Sequence, residues 1–336
     1  MDQNNKTSAT SFGSITASVF YILINIILFP VTLLGYMIWI GKIIIAGRSS
    51  GVSTSAQGPL AARWTQHNMG IRKDEPSNRL LPVLPNISLL GLRLSSFPML
   101  LAHELTGHVP KIFSYPYKGD VPEAHEAGAR VTFFDNMIDK YLNGTGQFVI
   151  LGAGFDTRAL RFPEKTGIKS FEVDKPDTQS IKRKLLEKAG IDTSGVVFIP
   201  ADFEKDDWFK QLAGAGFDPA KPAFFLWEGV MMYLDKQSVE STLRKIGSAA
   251  RGSAVAFDYF TDESLLSRAF YWRFARASTK AAGEPLKFGI DSTPPSGERL
   301  AEFLKNCGLS LVEQRVLGKD TEGRRAWGGF AVAMVK

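Results

Sequence analysis

The 336-residue chain is poor in the residues that build disulfide frameworks and metal sites. It has one cysteine, Cys307, which excludes an intramolecular disulfide, and four histidines that show no metal-ligand spacing with it. It also lacks any dense basic block, since the net charge of +6 comes from 40 Lys and Arg against 34 Asp and Glu. We therefore expect no structural metal, no nucleic-acid partner and a reducing compartment.

Charge is also absent from a long N-terminal stretch. No Asp, Glu, Lys or Arg occurs from Thr7 to Gly41, and residues 15–41 form an almost continuous apolar run. Because about 20 residues cross a hydrocarbon core as a helix, the run predicts one transmembrane helix, tilted or slightly kinked at Pro30. A cleaved signal peptide would need a basic start and a shorter run, and a buried core helix is the third alternative.

The flanking residues predict the orientation of this helix. Residues 1–14 form a polar tail, and residues 42–58, which end in a small and polar sequence, form a linker. Lys42 and Arg48 follow the run closely, whereas the one lysine before it is opposed by an aspartate. The positive-inside rule then predicts a single-pass membrane protein with its large C-terminal part in the cytoplasm.

The rest of the chain divides into two parts. Residues 59–122 mix helical stretches with prolines and predict a helical extension or cap; the apolar stretch 87–105 is typical of a packed helix or of one lying on a bilayer. In residues 123–336, short apolar runs alternate with amphipathic helices, which predicts an α/β fold with a doubly wound, mostly parallel sheet. The runs are 148–154, 169–174, 196–202, 223–229 and 253–260, followed by an antiparallel pair at 308–318 and 327–336.

The turn after the first predicted strand lacks parts of both familiar phosphate-binding motifs. In GAGFDT, Gly152 and Gly154 allow close approach of a ligand to the backbone, but no Gly-Lys-Ser/Thr follows, which excludes a P-loop. Thr157 stands where the dinucleotide motif has its third glycine. Taken alone, the turn is as consistent with a bare structural turn as with a nucleotide site.

The ends of the following strands favour a nucleoside. Asp174 ends the second strand 22 residues after Gly152, where an acid receives two ribose hydroxyls, although capping of the next helix is the alternative. Asp202 and Phe203 end the third strand and suit an adenine ring, and Glu228 follows the fourth. Because parallel strands share one carboxyl edge, these side chains are expected to lie together.

The motifs ARVTFFDNMI, GAGFDTR, FEVDKP, ADF and EGVMMYL together resemble the leucine carboxyl methyltransferase family, from about residue 53 to the end of the chain. The resemblance implies a class I methyltransferase fold, Rossmann-like, with a seven-stranded sheet, a helical cap and S-adenosylmethionine as cofactor. The residues that it assigns to cofactor binding are Arg130 on the methionine carboxylate, Gly152 and Gly154 beneath the cofactor, Asp174 on the ribose, Asp202 and Phe203 beside the adenine, and Glu228 near the amine or sulfonium. Glu204 departs from the family, which usually has an arginine there.

The predicted activity is O-methylation of a carboxylate on a small or lipophilic acceptor at the cytoplasmic membrane face. No catalytic base stands out, and a carboxylate needs none. Tyr233 and Arg63 are candidates for the acceptor pocket, with core packing and surface solvation as their alternatives, and the aromatic sequence AFYWRFARASTK is a candidate cap. A nicotinamide-dependent oxidoreductase and a non-catalytic, membrane-tethered nucleoside-binding protein remain open.

Overall fold

A computed structural model describes residues 3–46, 56–117, 120–161, 167–281 and 283–336. The helices are α1 (Gln3–Ile27), α2 (Phe29–Ala46), α3 (Gln57–Asn68), α4 (Glu75–Leu80), α5 (Leu89–Thr106), α6 (Glu126–Tyr141), α7 (Pro176–Lys188), α8 (Trp208–Gly214), α9 (Lys236–Gly247), α10 (Asp262–Leu266), α11 (Phe270–Ala281) and α12 (Ser296–Lys305). The strands are β1 (Gln147–Leu151), β2 (Lys169–Asp174), β3 (Val196–Pro200), β4 (Phe224–Trp227), β5 (Ala254–Phe260), β6 (Leu309–Thr321) and β7 (Arg324–Val335).

The strands form one seven-stranded sheet in the order β3-β2-β1-β4-β5-β7-β6. Strands β1 to β5 pair in parallel, whereas β7 runs antiparallel to β5 and β6 antiparallel to β7. The predicted mostly parallel sheet and its antiparallel pair at one edge are confirmed. The strand order reverses between β1 and β4, which places the favoured ligand crevice at the carboxyl ends of these two strands.

Two hydrophobic layers cover the faces of the sheet. Along β1, Val149 and Leu151 join the core cluster on one face, and Phe148 and Ile150 join the cluster on the other. All five residues of β1 are buried, because side chains alternate between faces and helices cover both. The central strands are therefore mostly apolar, although the charged residue Glu172 is buried within β2.

A third hydrophobic cluster joins the helical region before the sheet to the loop after β1. It contains Leu60 and Trp64 of α3, Leu81 after α4, and Phe155 from the glycine turn. The region predicted to be a helical extension is thus helical in the structure, as α3, α4 and α5. Its packing against Phe155 brings the start of α3 beside the carboxyl end of β1.

The apolar N-terminal run differs from its prediction. No single helix among the described residues is long and apolar enough to span a membrane, although a bent pair, Ile15–Ile27 with Phe29–Lys42, passes on length and composition, with a 58° bend. The one transmembrane helix predicted for residues 15–41 is therefore wrong as a continuous helix. Pro30 explains the break, because it lacks the N–H that would bond to the carbonyl of Ile26 and its ring crowds that carbonyl.

Helix α5 packs along α2 and the end of α1. The Tyr21 and His108 rings lie 4.8 Å apart near one end of α5, and Gly35 lies against Gly91 and Ser95 near the other. A Cβ on Gly35 would lie 2.3 Å from the Ser95 nitrogen, so only glycine permits this approach. Tyr21 lies near the C-terminal end of α5, and Gly35, which comes later in the chain, lies near its N-terminal end. The α1–α2 segment therefore runs antiparallel to α5.

The linker predicted at residues 42–58 is shorter in the structure. Helix α2 continues to Ala46 and α3 begins at Gln57, so both ends of the predicted linker are helical. The intervening residues 47–55 lie outside the described residues.

Candidate active site

A cavity lies at the carboxyl edge of β1, β2 and β4, where the strand order reverses. Its walls are the glycine turn after β1, the residues after β2 and β4, the first turns of α3 and the segment 283–287 that follows α11. Six of the seven predicted cofactor residues line it: Arg130, Gly152, Gly154, Asp174, Phe203 and Glu228. The structure thus brings together residues that are up to 98 positions apart in the chain (Arg130 to Glu228).

Both glycines of the turn are required by its backbone. Gly152 has φ +67° and Gly154 has φ +45°, a region that side chains with a Cβ rarely adopt. A Cβ on Gly152 would also lie 2.3 Å from Cγ2 of Val230, which follows β4. Thr157, at the position of the missing third glycine, is buried and its hydroxyl donates to Asp74 at 2.9 Å. The two glycines therefore fix the shape of the turn, and the hydrogen bond from Thr157 to Asp74 attaches the turn to the N-terminus of α4.

Asp174 holds the glycine turn to the end of β2. The Gly154 N–H donates to its Oδ2 at 2.5 Å, and the Lys175 N–H donates to its Oδ1 at 2.7 Å. Helix α7 has Lys175 at its N-cap position without any side-chain cap bond, so Asp174 does not cap that helix. Burial raises the pKa of Asp174 in spite of these two bonds. Each carboxylate oxygen retains a second lone pair for a hydroxyl, so its ribose role stays a prediction with suitable geometry.

Arg130, on α6, faces three carboxyl groups. Its Nη1 donates to Asp258 at 3.0 Å and lies 3.3 Å from Glu126, and its Nε lies 3.4 Å from Glu228. Burial raises the pKa of Glu126 to about 7, although the charge of Arg130 opposes this. The guanidinium is therefore paired without a ligand. A methionine carboxylate at the predicted position would share the guanidinium with these three acids.

Arg158 is the residue at this site that the sequence reasoning did not single out. It is fully buried, and its guanidinium contacts Asp135 at 2.7 Å, Asp156 at 2.6 Å, and Glu228. It contacts Oε2 of Glu228, whereas Arg130 lies beside Oε1. The available signal was the DTR at the end of the motif GAGFDTR, since a buried turn seldom holds both an acid and an arginine unless they pair.

The two predicted cofactor residues after the third strand, Asp202 and Phe203, differ in whether they line the cavity. Phe203 lines the cavity and packs edge-on against Trp208. Asp202 is not among the residues lining the cavity, and its Oδ1 accepts from the Glu204 N–H at 3.0 Å. Glu204, the departure from the family, does line the cavity and pairs with Lys287 at 2.7 Å. Lys287 therefore ties the segment after α11 across this end of the site.

Two acceptor-pocket candidates also line the cavity. Arg63 is 2% exposed and donates to the Phe155 carbonyl at 2.9 Å, so the alternative of surface solvation is wrong. Tyr233 lies in the short 3-10 turn after β4, is partly buried and reaches the same cavity. The candidate cap sequence forms α11, whose following residues, including Glu284 and Pro285, complete the wall.

Several buried polar atoms at the cavity have no hydrogen bond among the described residues. They are Nε of Arg63, Nε of Arg130 and Oε1 of Glu228. Leaving a buried donor or acceptor unpaired costs roughly 1–3 kcal/mol. Nε of Arg130 and Oε1 of Glu228 face each other at 3.4 Å as an ion pair, so the carboxylate and ammonium group at the amino-acid end of S-adenosylmethionine would replace that contact with hydrogen bonds. The residues present therefore fit this cofactor.

The same ionic network predicts sensitivity to acid. Burial raises the pKa of Asp135, but the charges of Arg161, Arg158 and Arg72 outweigh burial and hold that pKa well below its usual range. Burial acts likewise on Asp156, whose pKa nevertheless falls to about 2 beside Arg158 and Arg63. Carboxyls with lowered folded pKa values stabilise the fold above about pH 3.9, the unfolded value, and this contribution is lost as the pH falls through the folded value.

We expect the thermal unfolding midpoint of the full chain to drop as the pH is lowered from about 5 to 2. In Asp135→Asn the midpoint should be lower at neutral pH and should depend less on pH across this range. Asp139→Asn, which removes an exposed partner of Arg72, is the matched control and should keep the wild-type dependence. Equal pH dependence in wild type and Asp135→Asn would contradict the assignment.

Comparison with known proteins identifies the region that holds this site. Residues 119–247 match the family model described as leucine carboxyl methyltransferase, and this range contains all seven predicted cofactor residues. The resemblance to that family is confirmed. The description of the family model agrees with the predicted class of protein.

Curated relatives agree with this family match. A protein of Mycolicibacterium smegmatis named "Putative S-adenosyl-L-methionine-dependent methyltransferase" is 34% identical over 165 residues, 48% of this chain and 50% of the relative. A similarly named protein of Frankia alni is 35% identical over 127 residues, 37% of this chain and 44% of the relative. The chain therefore spans about half the length of the curated relatives it matches.

Solved structures are more distant. A DUF574 family protein of Streptomyces avermitilis matches with a TM-score of 0.43 and 17% identity, over 67% of this chain and 96% of the other. At that distance, the likeness does not bear on the function.

Proposed function

We propose that the chain is an S-adenosylmethionine-dependent O-methyltransferase that acts on a carboxylate of a small or lipophilic acceptor at the cytoplasmic face of a membrane. The observation that carries the proposal is the arrangement of Asp174, Gly154 and Glu228 around one cavity at the reversal of strand order. There, Asp174 lies beside a backbone turn that allows a ligand to approach closely, and Glu228 lines the same cavity.

In this proposal, different residues bind different parts of the cofactor. When bound, S-adenosylmethionine supplies a methyl group on a sulfonium that is already activated for transfer. Asp174 binds and orients the ribose end, and Phe203 offers an aromatic face to the adenine. Glu228, held between Arg130 and Arg158, places negative charge where a positively charged centre would lie. The contribution of the protein is mainly orientation and exclusion of water.

The side chains that line the cavity support a carboxylate as the methyl acceptor. No histidine or cysteine lines the cavity in the described part of the chain, so an imidazole or thiolate base is absent from this wall. A carboxylate brings its own ionised oxygen and needs no proton removed, whereas an alcohol would benefit from a base. Arg63 and Lys287 line the cavity beside Asp156 and Glu204, so an anionic acceptor would share their charge with these acids, and Val230 and Leu234 supply an apolar wall.

The membrane location rests on the surface of the first two helices. Thirteen large apolar side chains between Ile15 and Ile40 are at least 46% exposed, and no charged residue lies among them. A soluble protein rarely exposes a contiguous apolar surface of this extent. The basic residues that follow the run favour the cytoplasmic face for the domain.

A nicotinamide-dependent oxidoreductase is less consistent with the sheet. The dinucleotide fold has the strand order 3-2-1-4-5-6, all parallel, whereas here the antiparallel β7 lies between β5 and β6. Calorimetric titration of the full chain in detergent micelles, with S-adenosylmethionine and separately with NAD(H), tests the assignment. We expect binding of the former only; binding of NAD(H) alone would refute the proposal.

Turnover and acceptor chemistry need a second experiment. The full chain, incubated with methyl-tritiated S-adenosylmethionine and a total cell extract, is expected to label a product in the lipid-soluble fraction. Mild base should release volatile tritiated methanol, because carboxyl methyl esters hydrolyse readily and methyl ethers do not. If the label is stable to base, the acceptor is a hydroxyl group and the carboxylate assignment is wrong. Cofactor binding without any labelled product would support the non-catalytic alternative.

A further inference from the structure

Helix α5 determines how the apolar N-terminal helices lie on the protein. Both of its ends are held by the domain: Leu84 and Ile87, just before it, belong to the third hydrophobic cluster, and Phe113, just after it, is buried. Its 18 residues correspond to about 27 Å of helix at 1.5 Å per residue. A helix anchored at both ends to the domain lies along the domain's surface and does not project from it.

Helices α1 and α2 lie against this same helix. The contacts of Tyr21 with His108 and of Gly35 with Gly91 span almost the whole length of α5. Trp39 of α2 also packs against the third hydrophobic cluster. The part of the apolar run from Tyr21 to Trp39 is therefore held against α5 and the domain.

The outer side of these three helices is one apolar layer. Besides the exposed side chains of α1 and α2, α5 exposes Leu89, Leu90, Phe97 and Leu105 by 43–66%. Exposed basic residues, Lys42, Arg93 and Lys111, occur on or next to the layer, and Glu104 is the exposed acid on α5. Long basic side chains can bury their stems in an apolar layer while their charge reaches lipid headgroups.

We infer that α1, α2 and α5 together form a monotopic anchor, which lies in one leaflet of a lipid bilayer without crossing it. A spanning helix would have to leave the α5 contacts, whereas an in-plane anchor keeps them and covers the exposed apolar side chains with acyl chains. Helix α5 belongs to this surface although it lies about 50 residues beyond the N-terminal run in the sequence. The inference deepens the proposed membrane location and rests on it.

The anchor also lies close to the cofactor site. Trp39 of α2 and Ala56 pack against the cluster that contains Phe155, and Ala56 and Phe155 both line the cavity. The anchor and the cavity are therefore joined through one hydrophobic cluster, which favours an acceptor that is dissolved in the leaflet. The class of acceptor that this geometry favours is a lipophilic carboxylic acid.

Vesicle flotation of the full chain tests the role of α5. With vesicles of phosphatidylcholine containing about a third phosphatidylglycerol, we expect the wild type to float and Leu90→Glu/Phe97→Glu to lose at least tenfold in bound fraction at limiting lipid. Val312→Glu, which adds a charge at a similarly exposed apolar position on β6, is the matched control and should float like the wild type. Unchanged flotation of the double variant would overturn the inference, because a spanning anchor does not need α5.

A thiol-labelling experiment tests whether the chain crosses the bilayer. In a Cys307→Ser background, Asn4→Cys places a single thiol in the first turn of α1, ahead of the apolar run, and Ser194→Cys places one at an exposed turn of the domain. In sealed vesicles from expressing cells, a membrane-impermeant maleimide should label both or neither before detergent is added. Labelling of Asn4→Cys on the side opposite Ser194→Cys would show a spanning helix and overturn the inference.

Two further readouts separate the possible failures. Absence of flotation together with self-association of the wild type would show that the layer is covered by a second copy, which also overturns the inference. Calorimetric binding of S-adenosylmethionine is measured on the same preparations. Normal cofactor binding without membrane association would refute the anchor alone, whereas loss of cofactor binding in the wild type would refute the proposed enzyme.

Discussion

Replacement of Asp174 by alanine is expected to weaken S-adenosylmethionine binding at least 100-fold. Two hydrogen bonds from ribose hydroxyls to a charged carboxylate contribute roughly 1.5–3 kcal/mol each, and about 1.4 kcal/mol corresponds to a tenfold change in affinity. The substitution also removes the acceptor of the Gly154 N–H, so the glycine turn loses its link to β2. Calorimetric titration of the full chain measures the loss.

The control for this experiment is Asp192→Ala. Asp192 is an exposed aspartate in the turn before β3, where it accepts from Ser194, and it lies outside the cavity. This variant should bind the cofactor like the wild type. Asp174→Asn keeps a side-chain carbonyl for one of the two backbone donors and should fall between alanine and wild type. Wild-type affinity in a folded Asp174→Ala protein would exclude the ribose role.

Replacement of Arg158 by methionine is expected to have the largest effect on folding. Its guanidinium is fully buried among the carboxylates of Asp135, Asp156 and Glu228. Removing one partner of a buried ion pair costs about 3–5 kcal/mol, because it leaves charge buried without compensation. For a domain whose total stability is roughly 5–15 kcal/mol, this loss would leave much of the protein unfolded at moderate temperature.

Denaturant unfolding, followed by circular dichroism, measures this effect. Arg244→Met is the matched control, since Arg244 pairs with Glu240 at 2.7 Å on the surface of α9 and its side chain is 55% exposed. Exposed pairs contribute roughly 0–1 kcal/mol, so this variant should resemble the wild type. Equal destabilisation by both substitutions would show that the buried network around Arg158 is not a special source of stability.

The ion pairs around Glu228 could not be predicted from the sequence, for a physical reason. Arg158, Arg130 and Glu228 come from a turn, a helix and a strand end, and no local periodicity records which of them meet. Burial reverses the ordinary preference of such residues for solvent, and only packing reveals that burial. The same reason explains why surface solvation was an open alternative for Arg63, whereas its side chain is almost completely buried at the cavity.

Part of the site was nevertheless predictable. In parallel sheets, polar residues directly after apolar runs meet at one edge, so the pattern of the sequence alone placed Asp174, Phe203 and Glu228 together. Asp202, one residue before Phe203, bonds within its own loop and is not among the residues that line the cavity. A strand's end specifies the edge at which a residue lies, but the following turn decides which side chain faces the ligand.

The sequence by itself determined the α/β sheet, the glycine turn and the resemblance to a methyltransferase family, because these depend on local patterns of apolar residues and on short motifs. The tertiary structure decided what surrounds them. The 58° bend beside Pro30 divided one apolar run into two helices, and packing placed them against a third, α5. Such an arrangement depends on contacts between Gly35 and Gly91, residues far apart in the chain, which hydrophobicity along the sequence does not record.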